Sequence, residues 1–198
     1  HEDAFAIGFY FGLFTSLVKL DMSVEKPGGY RNGSFMSSTN ALLLLEELNM
    51  RNNLLARNGD NGNVTTLDLS WQARLKSLDV QGTGITRLRL ATGAPIVRLC
   101  LPNTLEELFL EYLTKLPESG LVLEGINNIT GYRFVGCPGI DGFSLLEKLH
   151  AAKKAGTGKL ERFSIDIDRE DDGSLLEKYY EYGTYTSTGA IDNRHSGL

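Results

Sequence analysis

The sequence predicts an α/β fold, a solenoid of short parallel strands closed at its C-terminal end by a helix-containing cap. Three observations carry this. An apolar-x-x-apolar-x-apolar pattern recurs along the middle of the chain, and its copies stand about ten residues apart. Two matching Ser-Leu-Leu-Glu-Lys segments follow where that pattern fades. The expected divisions are a lead-in over 1–40, the solenoid over 41–141, and the cap with its tail over 142–198.

Opening at His1 without Met, the chain is expected to be a processed product or a piece of a longer protein. An apolar run of 15 residues extends from Ala4 to Val18. It falls short of the roughly 18 residues a membrane span needs. Glu2 and Asp3 stand where a secretory signal carries basic residues, so buried lead-in structure is expected.

The repeat begins with Leu17-Leu20-Met22 and Leu45-Leu48-Met50. Its clearest copies are Val64-Leu67-Leu69, Leu75-Leu78-Val80, Ile85-Leu88-Leu90, Ile96-Leu99-Leu101 and Leu105-Leu108-Leu110. Leu121-Leu123, Ile129-Tyr132-Phe134 and Leu160-Phe163-Ile165 continue it. The last two apolar positions of each copy point the same way from an extended chain, because side chains alternate with period two. One copy cannot bury its apolar face alone, but stacked copies can. Two successive copies, with a period of 21 residues between Val64 and Ile85, make one coil with a strand on each side. Gly82, Gly84, Gly93, Pro95, Pro102, Pro117, Gly125, Pro138 and Gly139 fall at the expected turns.

After Ile140 the period lengthens. Ser144 with Glu147, and Ser174 with Glu177, have the spacing of a capping box, in which each side chain satisfies the other's backbone amide. The first helix is expected to run to about Ala155 and stop at Gly156, and the second to stop at Gly183. The tail from Thr184 to Leu198 has few core-forming residues and is expected to lead towards a further domain.

The segment Leu44 to Leu55 (LLEELNMRNNLL) resembles the leucine-rich repeat, with Leu45, Leu48, Met50, Asn53 and Leu55 on that family's fixed positions. Thr83, Thr104 and Cys137 take the Asn position in later copies. The stretch VTTLDLSWQARLKSLDVQGTGI is similar to the variant of about 21 residues found in surface proteins of gut bacteria and large virion proteins of phages. The resemblance covers roughly residues 41–141. It implies a solenoid whose Asn-position side chain hydrogen-bonds the backbone inside each turn. It also implies a virion or extracellular, cell-surface location, with a role in binding or adhesion; the family's range of ligands is wide.

Composition narrows the chemistry. Hydrophobic residues make up 41% of the 198 and charged residues 23%, which excludes a disordered chain. A net charge of −5 without a basic stripe argues against a nucleic-acid partner. Three His, with His1 and His195 near the ends, and two Cys leave little material for a metalloenzyme, a triad hydrolase or a disulfide framework.

Individual lures dissolve similarly. Asp166 to Gly173 approaches a calcium loop, but the register from Asp168 puts Tyr179 where a bidentate Glu is needed. The register from Asp166 loses the Gly at six, so an acidic helix N-terminus is the reading favoured. Gly156-Thr157-Gly158-Lys159 lacks the remainder of a phosphate loop and reads as a helix stop. His150 lies mid-helix on a stretch that looks solvated, and no Gly-x-Ser-x-Gly elbow supplies a nucleophile. Cys100, between Leu99 and Leu101, should point away from the core and Cys137 towards it. Asn32, Asn63 and Asn128 open glycosylation sequons, a number expected by chance in Asn-rich turns.

The expected binding surface follows from strand alternation. Asp68, Arg89, Phe109 and Arg133 should form an outward column with neighbours about 4.8 Å apart. Thr66, Arg87 and Glu107 should form the column beside it, while Asp79, Cys100 and Val122 on the other sheet look less like a site. Aromatic and Arg side chains are enriched at interface hot spots. A solvated face with cross-strand Asp–Arg pairing is the plainer alternative.

The function expected is therefore a non-catalytic, cofactor-free and metal-free binding or architectural module of a larger protein. Its partner would be a protein or a cell-surface glycan, or neighbouring copies in an assembly, with no nucleic acid and no membrane insertion. A purely structural spacer, or an accessory domain of an enzyme whose active residues lie elsewhere, are the alternatives.

Overall fold

The computed structural model describes residues 13–26, 39–53, 65–166, 184–185 and 190–192. The acidic stretch beyond Asp166, the second Ser-Leu-Leu-Glu-Lys helix, and the sequons at Asn32 and Asn63 lie outside them.

The chain forms a parallel-strand solenoid of about four turns. One sheet stacks β1 (Lys19–Asp21), β2 (Glu47–Asn49), β4 (Ser77–Asp79), β6 (Arg98–Leu101) and β8 (Leu121–Leu123), all parallel. The other stacks β3 (Thr66–Leu69), β5 (Arg87–Leu90), β7 (Glu107–Glu111), β9 (Gly131–Val135) and β10 (Arg162–Asp166), also parallel. Each odd strand from β3 to β7 is thus followed by an even strand on the opposite side. Beyond β10, β12 (Ala190–Asp192) and β11 (Thr184–Tyr185) add antiparallel.

Register explains why so short a repeat folds. Leu20, Leu48, Leu78, Leu99 and Leu121 are successive Cα partners across one sheet. Leu108, Tyr132 and Phe163 are partners across the other, as are Leu110, Phe134 and Ile165. Identical positions stack on identical positions, so one hydrophobic cluster runs along the axis from Leu42 to Ile165.

The corners are held by the side chains that the repeat places there. Asn53 is fully buried and its amide donates to the carbonyls of Met22 and Met50. Thr83 donates to the Val80 carbonyl at 2.7 Å, and Thr104 to that of Ile85 at 2.7 Å. Cys137 occupies the equivalent corner with weaker contacts, its Sγ 3.4 Å from both the Val135 carbonyl and the Leu113 amide. Gly82 has φ +66°, and a Cβ there would meet Asn52 Oδ1 of the preceding coil at 2.1 Å, so only glycine fits.

After β8 a helix replaces the strand. α1 (Gly142–Lys154) buries Leu145, Leu146 and Leu149 in the common core and joins β9 to its parallel neighbour β10. Its N-cap is Asp141, whose Oδ1 accepts from the Ser144 amide at 2.9 Å. This corrects the expected start at Ser144. The helix begins one turn earlier because Asp141, three residues before Ser144, takes the capping role. Gly142 fits there because a Cβ would strike the Phe134 ring at 2.6 Å. The helix ends as expected, with Gly156 at φ +74° and the amides of Thr157 and Gly158 donating to the Ala152 carbonyl.

Three further expectations are corrected. The apolar opening run is exposed where it is described: Leu13, Phe14 and Val18 face solvent, and only Leu17, on a repeat position, packs against the core. His150 is buried on the inner face of α1 rather than solvated, because it follows Leu149 and Leu146 around the helix onto the same side. Cys100 lies on the outward side of β6 but is fully buried, flush between its register partners Asp79 and Val122. Burial pushes both thiols up in pKa, and both are free.

Candidate functional site

The residues expected in the two columns lie on the sheet containing β5 and β7. In the first, Thr66, Arg87, Glu107, Gly131 and Arg162 are successive Cα partners. Glu107 is the hub, with Arg87 Nε at 3.3 Å on one side and Arg162 on the other. In the second, Asp68 pairs with Arg89, and Phe109 with Arg133 and then Ser164.

The second column is not continuous, and this corrects the even spacing expected of it. β5 and β7 pair only at Arg87 and Glu107, whereas β3 pairs with β5 along its whole length and β7 with β9 likewise. The corners leaving the strands differ in length. Residues 70–76 and 91–97 make seven-residue corners after β3 and β5. Residues 112–120 make a nine-residue corner after β7, which itself extends to Glu111. The longer corner coincides with the place where β7 leaves β5, after the first rung.

A cleft of about 220 Å³ occupies the gap. Leu88, Leu90 and Leu113 line it from the core side, and Arg89, Phe109 and Glu111 from the outer face. Ser70 and Thr92 stand at the corner end. Leu88 and Leu90 are part-buried, while their partners Leu67 and Leu69 are fully buried.

Electrostatics distinguish the two sides of the gap. Arg133 Nε lies 2.9 Å from Glu111 Oε1, whereas Arg89 lies 3.7 Å from Asp68, with 72% of its side chain exposed. Asp68 is held below the usual carboxylate range, chiefly by hydrogen bonds from Ser70 and further by the Arg89 charge. Four guanidiniums, on Arg87, Arg89, Arg133 and Arg162, face three carboxylates, on Asp68, Glu107 and Glu111. Phe109 sits at the centre of this face, 39% exposed, and Trp71 and Tyr112 are exposed at the corners beside Ser70 and Glu111.

Arg162, Glu111 and the cleft itself were not among the residues singled out in the sequence. The same alternation rule applied to the late copy Leu160-Phe163-Ile165 places Arg162 and Ser164 outward, so that signal was present. The opposite sheet offers a quieter surface, where Arg51 leans over Asp79 and Gln81. Among the described residues no group of three or more His, Cys, Asp or Glu is placed to hold a metal ion. No described helix is long and apolar enough to cross a membrane.

No family model, curated protein or solved structure matches the chain in the three comparisons made.

Proposed function

We propose that this chain is a leucine-rich-repeat module, closed by an α/β cap over 142–198, that binds a partner non-catalytically through the sheet face built by β3, β5, β7 and β9. The module belongs to a larger virion or cell-surface protein and serves adhesion or assembly. The observation that carries the reading is Phe109 exposed between Arg89 and Arg133 on a fixed sheet. Aromatic and Arg side chains supply most hot-spot energy in known interfaces. A sheet pinned by a continuous core loses little ordering entropy on binding. The Asn and Thr side chains bonded inside the corners support the repeat assignment.

The reading is tested by screening the full chain against glycan and peptide arrays, then repeating the screen with an Arg89→Glu, Phe109→Ala double variant. Binding that disappears while the melting temperature holds is the expected result. Binding that survives the double substitution excludes this face.

A further inference from the structure

The gap between β5 and β7 interrupts the backbone ladder as well. In a parallel ladder, the rungs after Arg87 and Glu107 join the Leu88 carbonyl to the Phe109 amide and the Phe109 carbonyl to the Leu90 amide. Register pairing stops before those rungs. Between β3 and β5, and between β7 and β9, register pairing continues along the strands. At the gap, donors and acceptors at peptide spacing border a cavity whose inner wall is Leu88, Leu90 and Leu113. Tyr112, at φ 54°, fixes the corner next to Glu111 and Leu113, with its ring against Gly136.

We propose that this cleft anchors a polypeptide partner by taking one apolar side chain, with the partner's adjacent amide and carbonyl completing the interrupted rungs. The inference rests on the sheet-face reading above and narrows its partner class from protein or glycan to protein. Three features select this occupant. At about 220 Å³ the cavity is smaller than the roughly 300–1,000 Å³ of typical small-molecule sites and suits a single Leu or Phe side chain. Alternating main-chain donors and acceptors are matched by another main chain, as in strand addition at sheet edges. Charge sets the neighbouring residue: Glu111 is closely neutralised by Arg133, whereas Arg89 is held loosely, so an acidic residue beside the apolar one is favoured.

Amide-resolved NMR titration of the full chain tests this with N-acetyl-phenylalaninamide and N-acetyl-leucinamide as probes. N-acetyl-glycinamide controls for the side chain and N-acetylglucosamine for a sugar. Saturable shifts of the Leu90 and Phe109 amides with the first two probes alone are expected, and their loss in Thr92→Phe, which fills the mouth. No saturable shift at those amides, or a response to the sugar instead, overturns the proposal. Thr92→Phe leaves the guanidiniums in place. Array binding that persists with silent Leu90 and Phe109 amides therefore removes the cleft while sparing the sheet-face reading.

Discussion

Arg162 reaches Glu107 across an intervening strand because the residue between them in register is Gly131. A Cβ on Gly131 would stand 3.0 Å from Arg162 Nε, inside the path of the guanidinium. The pair ties the last parallel strand to the cleft-bearing one over 55 residues of sequence. An exposed pair of this kind contributes about 0.2–1 kcal/mol. A double-mutant cycle on Glu107→Gln and Arg162→Gln should show coupling in that range. The coupling should vanish in a Gly131→Val background; undiminished coupling there would mean that glycine does not open the path.

Stacking by register makes the interior intolerant. Leu78 is wholly buried between its partners Leu48 and Leu99. Leu78→Ala should cost about 2–5 kcal/mol in urea unfolding. Leu78→Asp should leave no cooperative transition, because it buries an unpaired charge. A folded Leu78→Asp chain of normal stability would contradict the inward leucine stack.

The carboxylate of Asp68 sets an acid limit on the stability of the outer face. Its folded pKa is depressed, so its contribution is complete above the ordinary carboxylate pKa and is lost as pH falls through the folded value. The melting-temperature gap between the native chain and Asp68→Asn should therefore be widest near neutral pH and close below about pH 4. A gap that widens on acidification would reverse the assignment.

Thiol chemistry reports on packing. Burial raises the pKa of Cys100 and of Cys137. Because the thiolate is the reactive form, neither should be alkylated by iodoacetamide at neutral pH until the chain is unfolded. Rapid labelling of Cys100 in the folded protein would mean that Asp79 and Val122 do not cover it.

The repeat was legible because each copy states its own register: an apolar residue in phase with the last one stacks on it, and strands at Leu48, Leu67, Leu78, Leu99 and Leu108 follow. Which side chains face outward came from the same rule, and Asp68, Arg87, Arg89, Phe109 and Arg133 all lie on the outer face. The rule says nothing of how coils of unequal length settle on one another. The gap after Arg87, which coincides with the longer corner at 112–120, is geometric and leaves no compositional mark. Cys100 shows the same limit, since an outward position predicts exposure only when its neighbours are no larger. The helix start moved to Asp141 because two cap-competent residues stand three apart, and packing of Gly142 against Phe134 favours the earlier.

The most direct test compares affinities for one array-identified partner across three chains by calorimetry. Arg89→Glu with Phe109→Ala alters the face around the cleft, whereas Lys19→Glu with Arg98→Glu alters the opposite sheet. Two hot-spot residues worth about 2 kcal/mol each amount to several hundredfold in Kd. The account predicts a loss of at least about a hundredfold in the first variant and little change in the second. Equal losses in both, or a loss confined to the second, would contradict it.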